Sequence, residues 1–248
     1  MPYIKRIEIL ENYREENNFP FYLPSIQSIS KIELHPVINF FVGENGSGKS
    51  TLLEAIAVSC GFNHEGGSKN FKFSSSDEKS LLSKALRLSR TAKRPRDGYF
   101  YRAESFYNVI TEMNKLDCGP GGPAIKDSYG GNDLHTRSHG EAFMDMILHR
   151  FGGNGLYLLD EPESALSPQR QLSLLVRIAE LAKQNSQFII ATHSPILIAY
   201  PGARIWEFTN SGLVEKEYSE TENYLIMKSY FANPESFMSK LFDEKHDF

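Results

Sequence analysis

Residues 37–57 read VINFFVGENGSGKSTLLEAIA, and the architecture follows from the change of pattern within them. The first six letters, Val37 to Val42, are a near-continuous apolar run, the signature of a strand buried on both faces. The helical continuation, Ser50 to Ser59, which runs two residues past the quoted letters, puts Leu52, Leu53, Ile56 and Ala57 on one stripe of a helix. Between strand and helix lies Gly43-Glu44-Asn45-Gly46-Ser47-Gly48-Lys49-Ser50, which fits GxxxxGK[ST]. Strand, glycine loop and helix is the context in which that pattern carries chemistry. Three glycines let the backbone wrap a polyphosphate with its N–H groups, and the helix amino end adds positive potential. Lys49 can reach β- and γ-phosphates, Ser50 can ligate Mg²⁺, and Thr51 can touch the α-phosphate. A loop that merely turned a corner would need neither the lysine nor the hydroxyl.

Working outward, YIKRIEIL (residues 3–10) and residues 29–34 alternate apolar and polar as strands do, and GLYLLD (155–160) and QFIIA (187–191) read as buried strands. Helical spacing predicts helices over Asp77 to Arg94, Ser138 to Arg150 and Gln169 to Lys183, and Tyr99 to Ile110 reads as a strand running into a helix. Arg204 to Phe208 with Leu213 to Tyr218 forms a closing hairpin, two short helices follow, and a Gly/Pro-rich loop occupies Asp117 to Asp133. Helices alternating with apolar strands predict an α/β fold with a mainly parallel sheet.

Leu159-Asp160-Glu161 ends an apolar strand in two carboxylates. With a phosphate loop in the same chain, Asp160 is placed to hold Mg²⁺ through water and Glu161 to polarise the water that attacks a γ-phosphate. Hydrolysis rather than transfer is the expectation. Asn114-Lys115-Leu116-Asp117 spells NKxD, a guanine-reading pattern, but it precedes Asp160 and opens a loop, so GTP specificity is set aside.

The chain has 248 residues, 40% apolar and 23% charged, which excludes disordered, collagen-like and repeat-only classes. Its 27 basic and 31 acidic side chains leave a net charge of −4, so any hold on nucleic acid or an anionic membrane must come from a local patch. Cys60 and Cys118 are too few for a disulfide framework and fit a reducing cytoplasm. No apolar run approaches a membrane span, and charges near the amino end stand where a signal peptide is apolar, so a cytoplasmic protein is expected. Lys79, Lys84, Arg87, Arg90, Lys93, Arg94 and Arg96 concentrate on and beyond the helix expected over 77–94, opposed only by Asp77, Glu78 and Asp97. This reads as a solvated helix face; a protein or nucleic-acid partner there is the sharper alternative.

In order, the motifs resemble those of the ABC-type ATPases across Tyr3 to about Phe242. After the P-loop, Ser138-His139-Gly140-Glu141 is similar to the signature motif. Asp160-Glu161-Pro162, then Ser164-Ala165-Leu166-Ser167 resembling the D-loop, then the switch histidine His193 in Ala191-Thr192-His193-Ser194 complete the set. Asn12-Tyr13-Arg14 and a signature ending in Glu141 look more like the soluble chromosome-maintenance and recombination-repair branch, in particular its small stand-alone bacterial ATPases, than like transporters. The resemblance implies a P-loop fold with an antiparallel amino-terminal β portion and a helical lid. It makes residues 1–248 a single domain with a lid at about 62–137. It also implies that ATP and Mg²⁺ are bound, that His193 contacts the γ-phosphate and attacking water, and that Ser138 and Gly140 meet the nucleotide of a partner copy in an ATP-dependent homodimer. The alternative it leaves open is the nucleotide-binding subunit of a transporter.

Ser138 with Glu141 three residues on is also a capping box, whatever its function. Transport-type members carry a glutamine after the P-loop helix, but this sequence has none between Gln27 and Gln169; Glu104 or Asn108 is the candidate substitute. Tyr13, Phe19, Phe21 and Tyr22 are candidates to stack on adenine, with core packing the competing reading. His64, His135, His139 and His149 lack mutual ligand spacing.

Overall fold

The computed structural model of the chain describes residues 2–13, 18–69, 81–117 and 137–243. Arg14, Asp77, Glu78, Lys79, Cys118, His135 and the Gly/Pro-rich loop beyond Asp117 lie outside them.

Strand β1 (Ile4–Ile9) is followed by a one-turn helix α1 (Pro24–Gln27), β2 (Lys31–Glu33) and β3 (Ile38–Gly43), which runs into α2 (Lys49–Ser59). Then come β4 (Gly67–Ser68), α3 (Leu81–Ala85), β5 (Leu86–Arg90), β6 (Asp97–Arg102), α4 (Phe106–Asp117) and α5 (His139–His149). The chain continues with β7 (Gly155–Asp160), α6 (Pro168–Lys183), β8 (Gln187–Ala191), β9 (Arg204–Thr209), β10 (Gly212–Lys216), α7 (Glu222–Ala232) and α8 (Pro234–Asp243). Two sheets result among the described residues. The larger has the order β10-β9-β3-β8-β7-β6-β4, parallel from β9 to β6 and antiparallel at both edges; the smaller, β2-β1-β5, is antiparallel. This is the expected α/β arrangement with its antiparallel amino-terminal portion. Within 62–137, β5 belongs to the small sheet and β6 to the large one.

The helix expected over Asp77 to Arg94 is corrected. Among the described residues of that span only Leu81–Ala85 is helical, and residues 86–90 are a strand. Leu86 and Leu88 alternate with Arg87, and pairing with β1 sets Leu86 opposite Ile9, Leu88 opposite Ile7 and Arg87 opposite Glu8. Period-two packing on a neighbouring strand overrides a helical spacing that the letters also allow. The basic residues therefore do not share one helix face. The NKxD letters fall in the last turns of α4 rather than at a strand end, consistent with setting GTP aside.

Alternation in the central strands splits the core. Tyr157, Leu159, Phe188 and Ile190 pack on one side with Phe40, Tyr99, Tyr101 and α4 to α6, while Leu156, Leu158, Ile189 and Phe41 pack on the other against α2 and the small sheet. Buried Gln187 ties the two sheets together: its Oε1 accepts from the amides of Tyr3 and Ile4 (2.8 and 2.9 Å), and its Nε2 donates to the carbonyls of Ile4 and His35 (2.9 and 3.1 Å). Gln187→Ala strands buried donors and acceptors and is expected to cost about 3 kcal/mol in chemical denaturation.

Asp97 gathers Arg150 Nη1 (2.7 Å), the Tyr157 hydroxyl (2.7 Å) and the Gly152 amide (3.0 Å). Burial alone would raise its pKa, but these donors more than offset it and hold the carboxyl below its ordinary value. A carboxylate depressed in the fold contributes stability that is present above the unfolded pKa and is lost as pH falls through the folded one. The stability difference between the native chain and Asp97→Asn is accordingly expected to close below about pH 4, read from urea denaturation across pH.

Candidate functional site

Parallel register brings the chemistry to one edge. The carboxyl ends of β3, β8, β7 and β6 are adjacent, with Asp160 opposite Ala191 on one side and Arg102 on the other. Open parallel sheets bind ligands at this edge, where α2 also starts. Gly43 and Gly48 adopt φ of +132° and +102°, and a Cβ on Gly43 would stand 2.3 Å from the Phe208 carbonyl oxygen, so the loop cannot be built without these glycines. Gly46, at φ +77°, has open space before it. Ser25 Oγ donates to the Ser47 carbonyl and anchors the loop from outside.

Lys49 is buried and its Nζ donates to the carbonyls of Gly43 and Glu44 at 2.9 and 2.7 Å. Burial pushes its pKa down to about 8 against the pull of Glu161, Asp160, Glu163 and Glu44. Ser50 Oγ donates to Asp160 Oδ1 at 2.8 Å. Burial lifts Asp160 to about 6; the Ser50 hydrogen bond and Arg102 oppose the shift, while Glu161 and Glu104 add to it. A buried carboxylate in contact with a hydroxyl, beside a phosphate cradle, has the donor chemistry that Mg²⁺ takes. Ser50 and Asp160 fit that ion, with remaining positions left to phosphate and water.

Glu161 has φ +49°, a left-handed backbone that a glutamate adopts at a cost, and its amide donates to the Ala191 carbonyl at 2.9 Å. This turn sets its carboxylate 3.8 Å from His193 Nε2. That nitrogen is buried without a hydrogen-bond partner, and burial followed by the Lys49 charge pushes the imidazole pKa down against Glu161. At neutral pH the ring is therefore uncharged. Asn45, Gly46, Ser50, Glu104, Glu161, Glu163, Ser164 and His193 line a pocket of about 740 Å³.

Ser138 and Gly140 are not among those lining residues. They open α5 with a complete capping box: the Glu141 amide donates to Ser138 Oγ (3.4 Å), and the Ser138 amide donates to Glu141 Oε2 (3.1 Å). Ser138 is exposed; Gly140 is buried, where a Cβ would meet the Ala165 carbonyl at 2.4 Å. Glu104 reaches the pocket, whereas exposed Asn108 does not line it. Phe21 is a core residue stacked on Tyr13, and Phe19 and Tyr22 are a solvent-facing pair.

Three residues escaped sequence reasoning. Glu163 is half-buried and accepts from the His193 amide at 2.6 Å, holding the histidine loop onto the strand-end turn of β7. Arg102 spans Glu54 (2.7 Å), Glu104 (3.2 Å) and Asp160 (3.7 Å). Asn223, at the start of α7, donates to the His193 carbonyl at 2.7 Å. A third acid in Asp160-Glu161-Pro162-Glu163 was a signal for the first; nothing local marks the other two.

The fold is that of ATP-binding cassettes. Comparison with known proteins agrees with that fold. A family model described as an AAA domain matches residues 17–115, and a second AAA-domain model, whose description names an AbiEii toxin and a Type IV TA system, matches residues 143–199. Over 25 residues, 10% of the chain, it is 72% identical to the DNA replication and repair protein RecF of Colwellia psychrerythraea. Over 72 residues, 29% of the chain, it is 36% identical to an uncharacterized ABC transporter ATP-binding protein of Haemophilus influenzae. These matches span 7% and 27% of the respective relatives. Among solved structures, MJ1267, an ATP-binding cassette of an ABC transporter, superposes with a TM-score of 0.54 at 16% identity over 95% of this chain and 97% of that one. The same cassette in its ADP conformation gives 0.50 at 18% identity, with the same coverage. At such identities the likeness is one of fold. Among the described residues no helix is long and apolar enough to cross a membrane.

Proposed function

We propose that the chain is a cytoplasmic ATPase whose copies close head to tail on Mg-ATP and part after hydrolysis. The observation that carries this reading is the convergence of buried Lys49, the Ser50–Asp160 pair, Glu161 and His193 at one sheet edge, where Ser50, Glu161 and His193 line one pocket. Lys49 and the loop amides would bind the phosphates. Ser50 and Asp160 would hold Mg²⁺, which when bound neutralises phosphate charge. Glu161 would take a proton from the attacking water as its oxygen bonds to the γ-phosphorus and the bridging P–O bond to ADP breaks, with neutral His193 positioning that water. Exposed Ser138, on a capped helix end, is suited to meet a nucleotide held by another copy.

Sedimentation with and without Mg-ATP, beside phosphate release, tests this. The expected result is a nucleotide-dependent dimer with turnover; a monomer at saturating Mg-ATP, or binding without phosphate release, counts against it. The likeness to transporter cassettes favours a second reading, a transporter's nucleotide-binding subunit, which co-purification with a membrane permease would support. The absence of a glutamine between Gln27 and Gln169 speaks for the first.

A further inference from the structure

A second cavity, of about 490 Å³, lies at the opposite end of the elements that carry the phosphate site. Leu156 near the start of β7 and Cys60 just past the end of α2 form its buried floor together with Tyr3. About 17 Å of helix separates this end of α2 from Lys49. Around the opening stand Lys69, Arg90, Lys93 and Arg94, and among the described residues no Asp or Glu lines the cavity.

Four cations around one cavity, in a chain of net charge −4, are an electrostatic anomaly. None of the four has a carboxylate partner among the described residues. Arg90 Nη2 donates to the Ser59 carbonyl and stands 3.9 Å from Cys60 Sγ. Lys69 and Lys93 rest over aromatic rings, at 5.0 Å from the Phe62 centroid and 5.6 Å from that of Tyr3. Such ring contacts are weak and are easily exchanged for a charge-assisted hydrogen bond to an anion.

We propose that this cavity binds a small, multiply phosphorylated molecule. A volume of about 490 Å³ with an apolar floor and a cationic mouth has the size and polarity of a small-ligand pocket. Among the described residues the charge is gathered at one concavity rather than spread along a stripe, and the cavity lacks the succession of stacking rings that tracks single-stranded nucleic acid. A compact ligand is favoured over a polymer for these reasons. The inference stands apart from the ATPase reading, since it uses none of that site's residues.

Inorganic tripolyphosphate serves as the probe, titrated calorimetrically into the full chain carrying Lys49→Ala to weaken competition from the P-loop. One bound probe per chain is expected, with affinity falling about 10-fold or more when Lys93→Gln and Arg94→Gln are added. Both side chains are exposed, so melting should not change; Lys69→Gln is the second variant if it does. In a Cys118→Ser background, the probe should also slow alkylation of Cys60 at the cavity floor. Absence of binding, binding indifferent to all three substitutions, or unprotected Cys60 would overturn the proposal. So would a single-stranded oligonucleotide that binds more tightly than tripolyphosphate and loses its affinity with the same substitutions, which would make the face a nucleic-acid interface.

Discussion

Glu161→Gln will lower ATP turnover by about 10²- to 10⁴-fold while Mg-ATP binding persists, because glutamine keeps the shape of the side chain but cannot accept the proton of the attacking water. The substitution spares the neighbours that form the cradle: Lys49 keeps its contacts to Gly43 and Glu44, and Ser50 keeps its contact to Asp160. Binding without turnover holds the closed state, so the variant is expected to elute as a dimer in ATP and as a monomer in ADP. Single-turnover phosphate release and size-exclusion chromatography read the two effects. Turnover at the native rate would remove Glu161 from its assigned role, and a monomer in ATP would remove the clamp. The trapped form is also the bait of choice for whatever the closed state grips.

Lys49→Ala is expected to act one step earlier. It removes the buried ammonium that stands against the carbonyls of Gly43 and Glu44 and would turn toward β- and γ-phosphates on binding. Loss of a preorganised donor of this kind is expected to weaken ATP binding about 100-fold or more, measured by fluorescent-nucleotide titration. At ATP concentrations that saturate the native chain but not this variant, no dimer should form, so the two variants should share a loss of turnover yet separate cleanly in sedimentation. Native ATP affinity in Lys49→Ala would show that the glycine loop is not the nucleotide site.

Much of this was legible from residues alone because it is local. A buried strand, a glycine loop and an apolar helical stripe are read within a few turns of chain, as is the Ser138–Glu141 capping box. The strand at Leu86–Arg90 was misread because its letters suit two periods, and only β1, some 80 positions away in sequence, selects one of them. Arg102 and Asn223 were invisible for a related reason. Each acquires its place from partners separated from it by tens of residues, Arg102 from Glu54 and Asp160 and Asn223 from the backbone of His193. The aromatics before β3 divided by burial, Phe21 into the core and Phe19 and Tyr22 outward, a choice that composition does not contain.

The alignment of four strand ends makes the molecule more sensitive to the count of its residues than to their identity. One codon inserted within Gly155–Asp160 would preserve the apolar character of β7 yet turn each later side chain to the opposite face and push Asp160 past Ser50. Single-residue insertions and deletions scanned through the central strands should therefore inactivate where conservative exchanges at the same positions are tolerated, and genetic drift in this fold is channelled into spelling rather than length.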